Sequence, residues 1–384
     1  MKIKKIAYII NHISFFDSHI SPIAISAQNN YKVKLFCGNS ASKVMDRISV
    51  NNVKKNKIEF SKFGFQSSGL NILAELIGLI KLFIAIKKFK PDLIHCATPK
   101  GILFGGIIAR ILNIKSLLIF NTGMGFLYTN KLSFLQKISL NIFVILQKYI
   151  FKHKNKKIII ENRHDLNFLA KKFLIKKKEF ILITAGSGVD LNKFKKINIL
   201  KNKLVLVPSR VVKEKGIIEF VSAAKILKKK YKSWQFCIAG STDYIKQSSF
   251  TANELNDLKK KKFINFLGYQ QNILKYYKKS SIICLPSYRE GLSKSLIEAA
   301  ALGIPVVTTN VVGCRDAILP GITGEICKVK DVKSLSDKLE ILILDKKKRS
   351  LYGTNARKFA EREYGLDKVI NKNLNTYNIL FQNV

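Results

Sequence analysis

Acidic residues are scarce in this chain of 384 residues. It has 25 Asp and Glu against 68 Lys and Arg, a formal net charge of +43 at pH 7, and only nine of the 68 are Arg. Coding bias can produce a lysine-rich composition, but it does not explain the shortage of acids. A positive field of this size predicts attraction to anionic partners: acidic lipid, a pyrophosphate-bearing substrate or nucleic acid.

The cysteines lack the spacing of a metal site. None of the six forms a C-x-x-C pair, and each lies in or beside an apolar run. Buried reduced thiols are therefore expected, rather than a zinc site or a disulfide framework. Reduced thiols are typical of the cytoplasm, so that compartment is predicted.

Clean apolar runs of about 20 residues, which a membrane-spanning helix needs, are also missing. The two strongest candidates, 71–89 and 133–151, are each interrupted by charged or polar residues. Lysines flank both stretches. Each is predicted to pack on a sheet as a crossover helix, or to lie in an anionic membrane surface with its bases outward. The two alternatives are compatible.

Short β-branched runs alternate with helical stretches along the chain. The first run is expected to be a buried strand rather than a signal peptide, because Asn11 and His12 interrupt it. Strands are predicted at 3–10, 32–37, 57–60, 92–97, 116–121, 157–162, 179–184, 203–207, 235–240, 264–267, 282–286 and 304–309. Helices are predicted notably at 69–89, 100–113, 131–152 and 164–173. This alternation is typical of parallel sheets covered on both faces, and the length suffices for two such domains.

Two charged loops follow predicted strands in the second half. Arg210 and Lys215 lie between the strand at 203–207 and a helix, while Glu290 lies in a glycine turn and Glu298 in the helix after it. In open α/β sheets, ligands bind at the carboxyl ends of strands. Cations and free helix N–H groups suit a diphosphate, and carboxylates accept hydrogen bonds from sugar hydroxyls. A nucleotide-sugar is the predicted ligand, although the basic loop taken alone could simply be solvated.

These motifs resemble glycosyltransferase family four. The resemblance is carried by Arg210…Lys215-Gly216, Glu290-Gly291-Leu292 with Glu298, Gly303-x-Pro305-Val306-Val307, Gly313-Cys314-Arg315-Asp316 and Gly324-Glu325. It covers nearly the whole chain and implies a retaining enzyme of the GT-B fold, an α/β architecture with two Rossmann-like domains facing across a cleft. It implies an acceptor-binding domain at 1–190, a nucleotide-sugar-binding domain at 200–357 and a C-terminal helix, 358–384, returning to the first domain. No D-x-D pair follows an apolar run, so we expect metal-independent catalysis and no cofactor besides the UDP-sugar substrate.

The resemblance also implies roles for single residues of the second half. Arg210 and Lys215 would hold the diphosphate, Glu290 would face the donor sugar, and these three form the predicted catalytic set. The predicted donor-binding residues are Gly268, Tyr269, Gly291, Leu292, Ser293 and Glu298. Ser293 stands where the family usually carries Pro, and its side chain is expected to cap the helix.

The first half resembles N-acetylhexosaminyltransferases that act on undecaprenyl-diphosphate-linked acceptors, as in the bacillosamine-dependent N-glycan pathway. The segments that carry this resemblance are 95–101, 121–126, 162–165 and 186–190. It implies acceptor contacts for His19, His95, Lys100, Thr122, Gly123 and Gly125. A buried, satisfied histidine remains the alternative for His95, and a helix-surface role the alternative for His19.

The sequence therefore predicts transfer of N-acetylgalactosamine, or another N-acetylhexosamine, from a UDP-sugar to a polyprenyl-diphosphate-linked saccharide. The enzyme would be peripheral on the inner face of the cell membrane. A nucleotide-sugar epimerase on the same scaffold is the enzymatic alternative. A non-catalytic nucleic-acid binder is supported by charge alone, without an RRM, OB or helix-turn-helix signature, so nucleic acid is not expected as a partner.

Overall fold

The chain divides into two compact units. The computed structural model describes residues 3–40, 42–66, 72–121, 134–198, 203–242 and 249–383. One unit comprises Met1–Ile183 together with Lys368–Val384, and the other comprises Thr184–Asp367.

The first unit contains a seven-stranded parallel sheet of order β3-β2-β1-β4-β5-β6-β7. Its strands are β1 (Lys5–His12), β2 (Lys32–Asn39), β3 (Glu59–Gln66), β4 (Leu93–Ala97), β5 (Ser116–Asn121), β6 (Lys156–Ile160) and β7 (Phe180–Leu182). Its helices are α1 (Ile13–Phe15), α2 (Ser21–Ala27), α3 (Lys43–Lys55), α4 (Ile72–Phe89), α5 (Pro99–Ile111), α6 (Phe134–Phe151) and α7 (Arg163–Phe173). Every residue of β4 and β5 is buried, because helices cover both faces of a parallel sheet.

The second unit repeats this design with six parallel strands of order β10-β9-β8-β11-β12-β13. Its strands are β8 (Leu204–Val207), β9 (Gln235–Ala239), β10 (Asn265–Gly268), β11 (Ile282–Leu285), β12 (Val306–Thr309) and β13 (Gly324–Cys327). Its helices are α8 (Ile217–Lys230), α9 (Ala252–Lys259), α10 (Leu274–Tyr277), α11 (Lys294–Leu302), α12 (Val332–Leu344) and α13 (Lys346–Glu363). The predicted α/β class with two Rossmann-like domains is thereby confirmed.

The last helix, α14 (Leu366–Gln382), leaves the second unit and packs in the first. The Tyr377 hydroxyl lies 3.0 Å from that of Tyr8 on β1. The Ser116 hydroxyl on β5 donates to the Leu380 carbonyl at 3.0 Å. The sheet of the first unit is therefore covered in part by the far end of the chain.

The observed elements confirm the twelve predicted strand positions and add one. β13 was not predicted, because Gly324–Cys327 is a short edge strand with little periodicity to reveal it. The change of unit at Thr184 also falls before the predicted boundary at 190. The reason is that Val189 pairs with the second unit, where its N–H donates to the Tyr364 carbonyl at 2.8 Å.

All six cysteines are buried, as expected, and none is paired in a disulfide in the structure. Their reduced state stays a prediction. None of the helices within the described ranges combines the length and hydrophobicity that crossing a bilayer requires.

Candidate active site

The second sheet reverses its strand order between β8 and β11, which pair directly in parallel. The loops that leave the carboxyl ends of these two strands therefore start side by side. This is the position where open α/β sheets bind ligands. The predicted cations lie on the loop after β8 and the predicted acids lie after β11.

Lys215 and Glu290 meet at this point. The Lys215 ammonium forms a salt bridge with Glu290 Oε1, and the Ser287 hydroxyl donates to the same oxygen at 2.7 Å. The two side chains of the pair are only 18% and 13% exposed. The fold thus brings together a cation and an acid that are 75 positions apart, and it holds both charges in a place that is largely shielded from water.

Further contacts fix the two loops to each other. The Tyr288 N–H donates to the Glu214 carbonyl at 2.9 Å, and its hydroxyl donates to Glu219 Oε1 at 2.7 Å. Glu219 is buried on the first turn of α8. A charge-assisted hydrogen bond from the Tyr288 phenol to the Glu219 carboxylate holds the loop after β11 against the start of α8. Lys215, just before α8, is thereby held in position.

Gly216 makes this close approach possible. Its φ is +67°, and a Cβ there would lie 2.1 Å from the Pro286 carbonyl oxygen. Only glycine tolerates both the left-handed backbone and the contact. The glycine that follows Lys215 in the sequence motif is therefore a packing requirement.

Arg210 lies on the same loop and is exposed. Its neighbour Val211 donates a backbone hydrogen bond to the Ser241 carbonyl at 2.8 Å, which fastens the base of this loop to the segment after β9. The Arg210 backbone is thus held at the carboxyl edge of the sheet.

The start of α11 corrects one expectation. Ser293 is the N-cap residue, yet its side chain makes no cap hydrogen bond, and its hydroxyl lies 3.2 Å from that of Ser295. The prediction that Ser293 caps the helix is wrong because its side chain turns to Ser295. Its backbone N–H donates to the Gly313 carbonyl at 3.3 Å.

Gly313 also packs against the glycine turn. Its φ is +80°, and a Cβ there would lie 2.1 Å from the Gly291 carbonyl oxygen. Gly291 and Leu292 are half-buried beneath this contact. The loop after β12 thus supports the backbone between Glu290 and α11.

Glu298 lies on α11, beside the fully buried Tyr277. The Tyr277 hydroxyl is 3.3 Å from Glu298 Oε2 and 3.1 Å from the Ser295 carbonyl. Burial raises the pKa of the Glu298 carboxyl, while Lys294 and the Tyr277 hydrogen bond oppose that shift. Glu298 is held by its own partner and is not part of the Lys215–Glu290 pair.

Gly268 and Tyr269 lie at the carboxyl end of the edge strand β10, and both are exposed. β9 separates β10 from β8, so these residues start about 10 Å from the loop that carries Lys215, at roughly 4.8 Å per strand. Gly268 and Tyr269 therefore lie at the same edge of the sheet as Lys215, two strands away from it.

In the first unit, His95 is a core residue. It is fully buried on β4, and its Nδ1 lies 2.7 Å from the Tyr377 hydroxyl. Burial lowers the pKa of His95 to about 3, so the imidazole is neutral. This position under α14 favours the alternative of a buried histidine, although only one ring nitrogen is satisfied: Nε2 has no hydrogen-bond partner among the described residues. The acceptor contact of His95 stays a prediction.

His19 and Lys100 lie near the reversal point of the first sheet, where β1 and β4 pair. His19 stacks on Phe15 with ring centroids 4.3 Å apart. Lys100, on the first turn of α5, donates to Glu75 Oε1 on α4 at 2.7 Å. An acceptor diphosphate would have to compete with Glu75 for Lys100. Thr122, Gly123 and Gly125 lie outside the described residues.

Sequence reasoning missed four residues that shape the second-unit site: Glu219, Tyr277, Ser287 and Tyr288. Ser287 and Tyr288 lie just before the Glu290-Gly291-Leu292 motif in the sequence, so their place beside Glu290 could have been suspected. Glu219 and Tyr277 carry no sequence signal, because each reads as an ordinary residue of a core helix.

Comparison with known proteins finds a family match for each half of the chain. Residues 189–359 match the family described as Glycosyl transferases group 1, and residues 5–162 match Glycosyl transferase 4-like. The chain is 29% identical over 338 residues, 84% of this chain and 86% of the relative, to N,N'-diacetylbacillosaminyl-diphospho-undecaprenol alpha-1,3-N-acetylgalactosaminyltransferase of Campylobacter jejuni. It is 28% identical over 316 residues, 76% of this chain and 78% of the relative, to the capsular polysaccharide biosynthesis glycosyltransferase CapM of Staphylococcus aureus.

Solved structures share the fold. Anabaena HepE in complex with UDP-glucose superposes with a TM-score of 0.75 at 17% identity, over 98% of this chain and 99% of that one. Sucrose-phosphate synthase of Thermosynechococcus elongatus gives 0.76 at 16% identity, over 99% and 100% of the two chains. These likenesses support the GT-B fold. The predicted enzyme class is confirmed: the chain is a glycosyltransferase, in which a Glycosyl transferase 4-like domain precedes a Glycosyl transferases group 1 domain.

Proposed function

We propose that this enzyme transfers an N-acetylhexosamine, with N-acetylgalactosamine as the first candidate, from a UDP-sugar to a polyprenyl-diphosphate-linked saccharide. The observation that carries the proposal is the shielded Lys215–Glu290 pair at the reversal point of the second sheet. A cation beside a hydroxyl-accepting carboxylate suits the join between a diphosphate and a sugar. The likeness to the Campylobacter enzyme, over 84% of this chain, supports the choice of donor and acceptor.

A second relative supports the lipid-linked acceptor. The chain is 23% identical over 317 residues, 79% of each chain, to UDP-Gal:alpha-D-GlcNAc-diphosphoundecaprenol alpha-1,3-galactosyltransferase of Escherichia coli. Both relatives act on a sugar attached to diphosphoundecaprenol, but their donor sugars differ. The acceptor class is therefore better supported than the identity of the sugar.

In the proposed mechanism, the protein positions the reactants and stabilises charge. Lys215 and Arg210 bind the donor diphosphate, Glu290 accepts hydrogen bonds from the sugar hydroxyls, and Glu298 accepts from the ribose. Because Lys215 and Glu290 already pair in the free protein, both are held in place before the donor arrives. Such preorganisation costs no rearrangement when charge develops.

We infer that the reaction retains the anomeric configuration and needs no metal. The bond between the anomeric carbon and the diphosphate oxygen breaks while the acceptor hydroxyl attacks from the same face. The departing diphosphate takes the hydroxyl proton. Negative charge on the diphosphate grows only as the bond breaks, so the two cations stabilise the transition state more than the bound donor.

The test is a transfer assay with a panel of UDP- and GDP-sugars and a detergent-solubilised polyprenyl-diphosphate sugar. We expect consumption of one UDP-N-acetylhexosamine, a lipid product heavier by one N-acetylhexosamine residue, and an unchanged anomeric configuration by NMR. Reactions without acceptor serve as the control. Conversion of the free nucleotide-sugar in that control would identify an epimerase and refute the proposal, and so would transfer from a GDP-sugar alone.

A further inference from the structure

Helix α4 exposes an apolar face that the fold does not use. Its outward side carries Leu73, Leu76, Ile77, Ile80 and Ile84, which are between 46% and 69% exposed. These residues, the α4 stripe, recur at helical spacing along one side of the helix. Leu82 and Ile86, on the opposite side, are buried in the core. The core therefore accounts for one side of α4 and leaves the other without a partner within the described residues.

Helix α6 also has an exposed apolar stripe, although its Tyr149 ring contacts the Arg110 guanidinium of α5, 4.8 Å from the ring centroid. Ile138, Ile142, Ile145 and Tyr149, the α6 stripe, are between 39% and 65% exposed. Ile150, on the other side, packs in the same core cluster as Leu82 and Ile86.

The two stripes belong to one helical layer. α4, α5 and α6 connect β3, β4, β5 and β6 in succession, and right-handed crossovers in one direction along a sheet lie on one face. α5 packs against both α4 and α6. The three helices run in the same direction, so the stripes are roughly parallel and each extends about 16 Å, at 1.5 Å per residue.

The charge around the stripes is positive. Lys81, Lys87 and Lys88 on α4 and Lys148 on α6 are exposed. The sequence of α6 contains no acid. The acid of α4, Glu75, is salt-bridged to Lys100. A second copy of this chain would meet the same cations across the contact and would be repelled, whereas anionic lipid matches both the apolar stripes and the lysines.

We propose that the α4 and α6 stripes together form a docking face for anionic lipid, with both helices lying in the plane of the membrane surface. The role of this docking face in acceptor delivery rests on the proposed function. The Lys100–Glu75 contact places the first turn of α4 beside that of α5, at the carboxyl edge of β4, where the acceptor is expected. Docking along α4 therefore brings the lipid surface to the edge of the sheet at which a lipid-linked saccharide would enter.

Vesicle binding tests the docking face without donor or acceptor. The full-length protein is floated with vesicles of phosphatidylglycerol and phosphatidylcholine in equal parts, or with phosphatidylcholine alone. Wild type should bind the anionic vesicles. The variant Ile80→Asp/Ile145→Asp should bind at least about tenfold more weakly, because it places charge where apolar side chains insert. Replacing Lys87, Lys88 and Lys148 with Gln should weaken binding about fivefold per lysine.

The chain offers a matched control in the second unit. Ile80 and Ile145 are 60% and 65% exposed, and Leu351 and Leu344 are 59% and 65% exposed. The variant Leu344→Asp/Leu351→Asp should bind vesicles as wild type does. Both double variants should keep the wild-type melting temperature and should transfer sugar to a short-chain, water-soluble acceptor at the wild-type rate.

Three outcomes overturn the docking face. Wild type that ignores anionic vesicles shows no lipid binding. If Ile80→Asp/Ile145→Asp binds anionic vesicles with wild-type affinity, the protein adsorbs through its positive charge alone and the apolar stripes are not involved. A dimer that light scattering shows to dissociate in this variant, with vesicle binding intact, shows that a second copy covers the stripes. Normal vesicle binding with no transfer to any acceptor would instead refute the proposed function alone.

Discussion

Replacing Lys215 with alanine separates the two roles of the Lys215–Glu290 pair, its contribution to stability and its contribution to turnover. The substitution removes an ammonium that is 18% exposed and leaves a carboxylate that is 13% exposed, held by Ser287. The pair lies between the fully exposed and the fully buried case. Its loss should therefore lower the free energy of unfolding by about 1–3 kcal/mol.

The effect on catalysis should be larger. By analogy with the removal of one oxyanion-stabilising donor, losing Lys215 should raise the barrier by about 2–4 kcal/mol. That increase corresponds to a kcat that is about 30- to 1,000-fold lower. The KM for the donor should change less, because the cation acts mainly on charge that develops in the transition state.

Steady-state transfer kinetics and denaturant unfolding of the same preparations measure both effects. The matched control is Lys213→Ala on the same turn, which removes an exposed ion pair with Glu254. It should cost at most about 1 kcal/mol of stability and leave kcat near that of wild type. The double variant Lys215→Ala/Glu290→Gln should recover stability, because no unpaired carboxylate remains, but it should not recover turnover.

Near-normal kcat in Lys215→Ala would refute the assignment of Lys215 to the leaving diphosphate. Recovery of turnover in the double variant would refute it as well, since the loss would then reflect only an unpaired Glu290. A rise in KM at constant kcat would show that the cation binds donor and transition state equally.

Four other outcomes can be checked. Gly216→Ala should destabilise the fold by about 2–4 kcal/mol through backbone strain and a clash. The control Gly321→Ala has a similar φ of +73° but no atom within 4 Å of the added Cβ, so it should cost about 1 kcal/mol. Equal denaturant midpoints for the two variants would contradict this. Tyr288→Phe removes the donor to the buried Glu219 carboxylate and should lower the free energy of unfolding by about 1–3 kcal/mol. Tyr231→Phe should cost less, because its partner Glu340 still accepts a hydrogen bond from Lys230. Burial raises the folded-state pKa of Glu298 above its ordinary 4.5, so the folded chain binds the Glu298 proton more tightly than the unfolded chain does. The free energy of unfolding of wild type should therefore fall relative to that of Glu298→Gln as the pH rises from 4.5. A difference between the two proteins that does not change with pH in denaturant titrations would contradict this. Excess EDTA should leave the transfer rate unchanged if the two cations provide the electrostatic stabilisation, and loss of activity that Mg²⁺ or Mn²⁺ restores would show otherwise.

Local pattern was enough to predict the elements but not all of their ends. Runs of β-branched residues fix strands because a strand buried on both faces must be apolar throughout, and twelve such runs became strands. The short edge strand at Gly324–Cys327 was not predicted, because two of its four residues are a glycine and a glutamate. Ser293 shows the same limit at a helix start. Its residue type predicts a cap, but a neighbouring hydroxyl at Ser295 took its side chain.

The sequence by itself determined that this chain builds two parallel sheets, and which loops carry its cations and acids. Periodicity and residue type act over a few neighbouring positions, so they can be read in one dimension. The tertiary structure alone decided which distant residues meet. Strand order set β8 beside β11 and thereby joined Lys215 to Glu290. The return of α14 buried His95 under Tyr377, 282 positions away. Contacts of this kind depend on how whole elements pack, because burial and pairing are properties of the assembled fold.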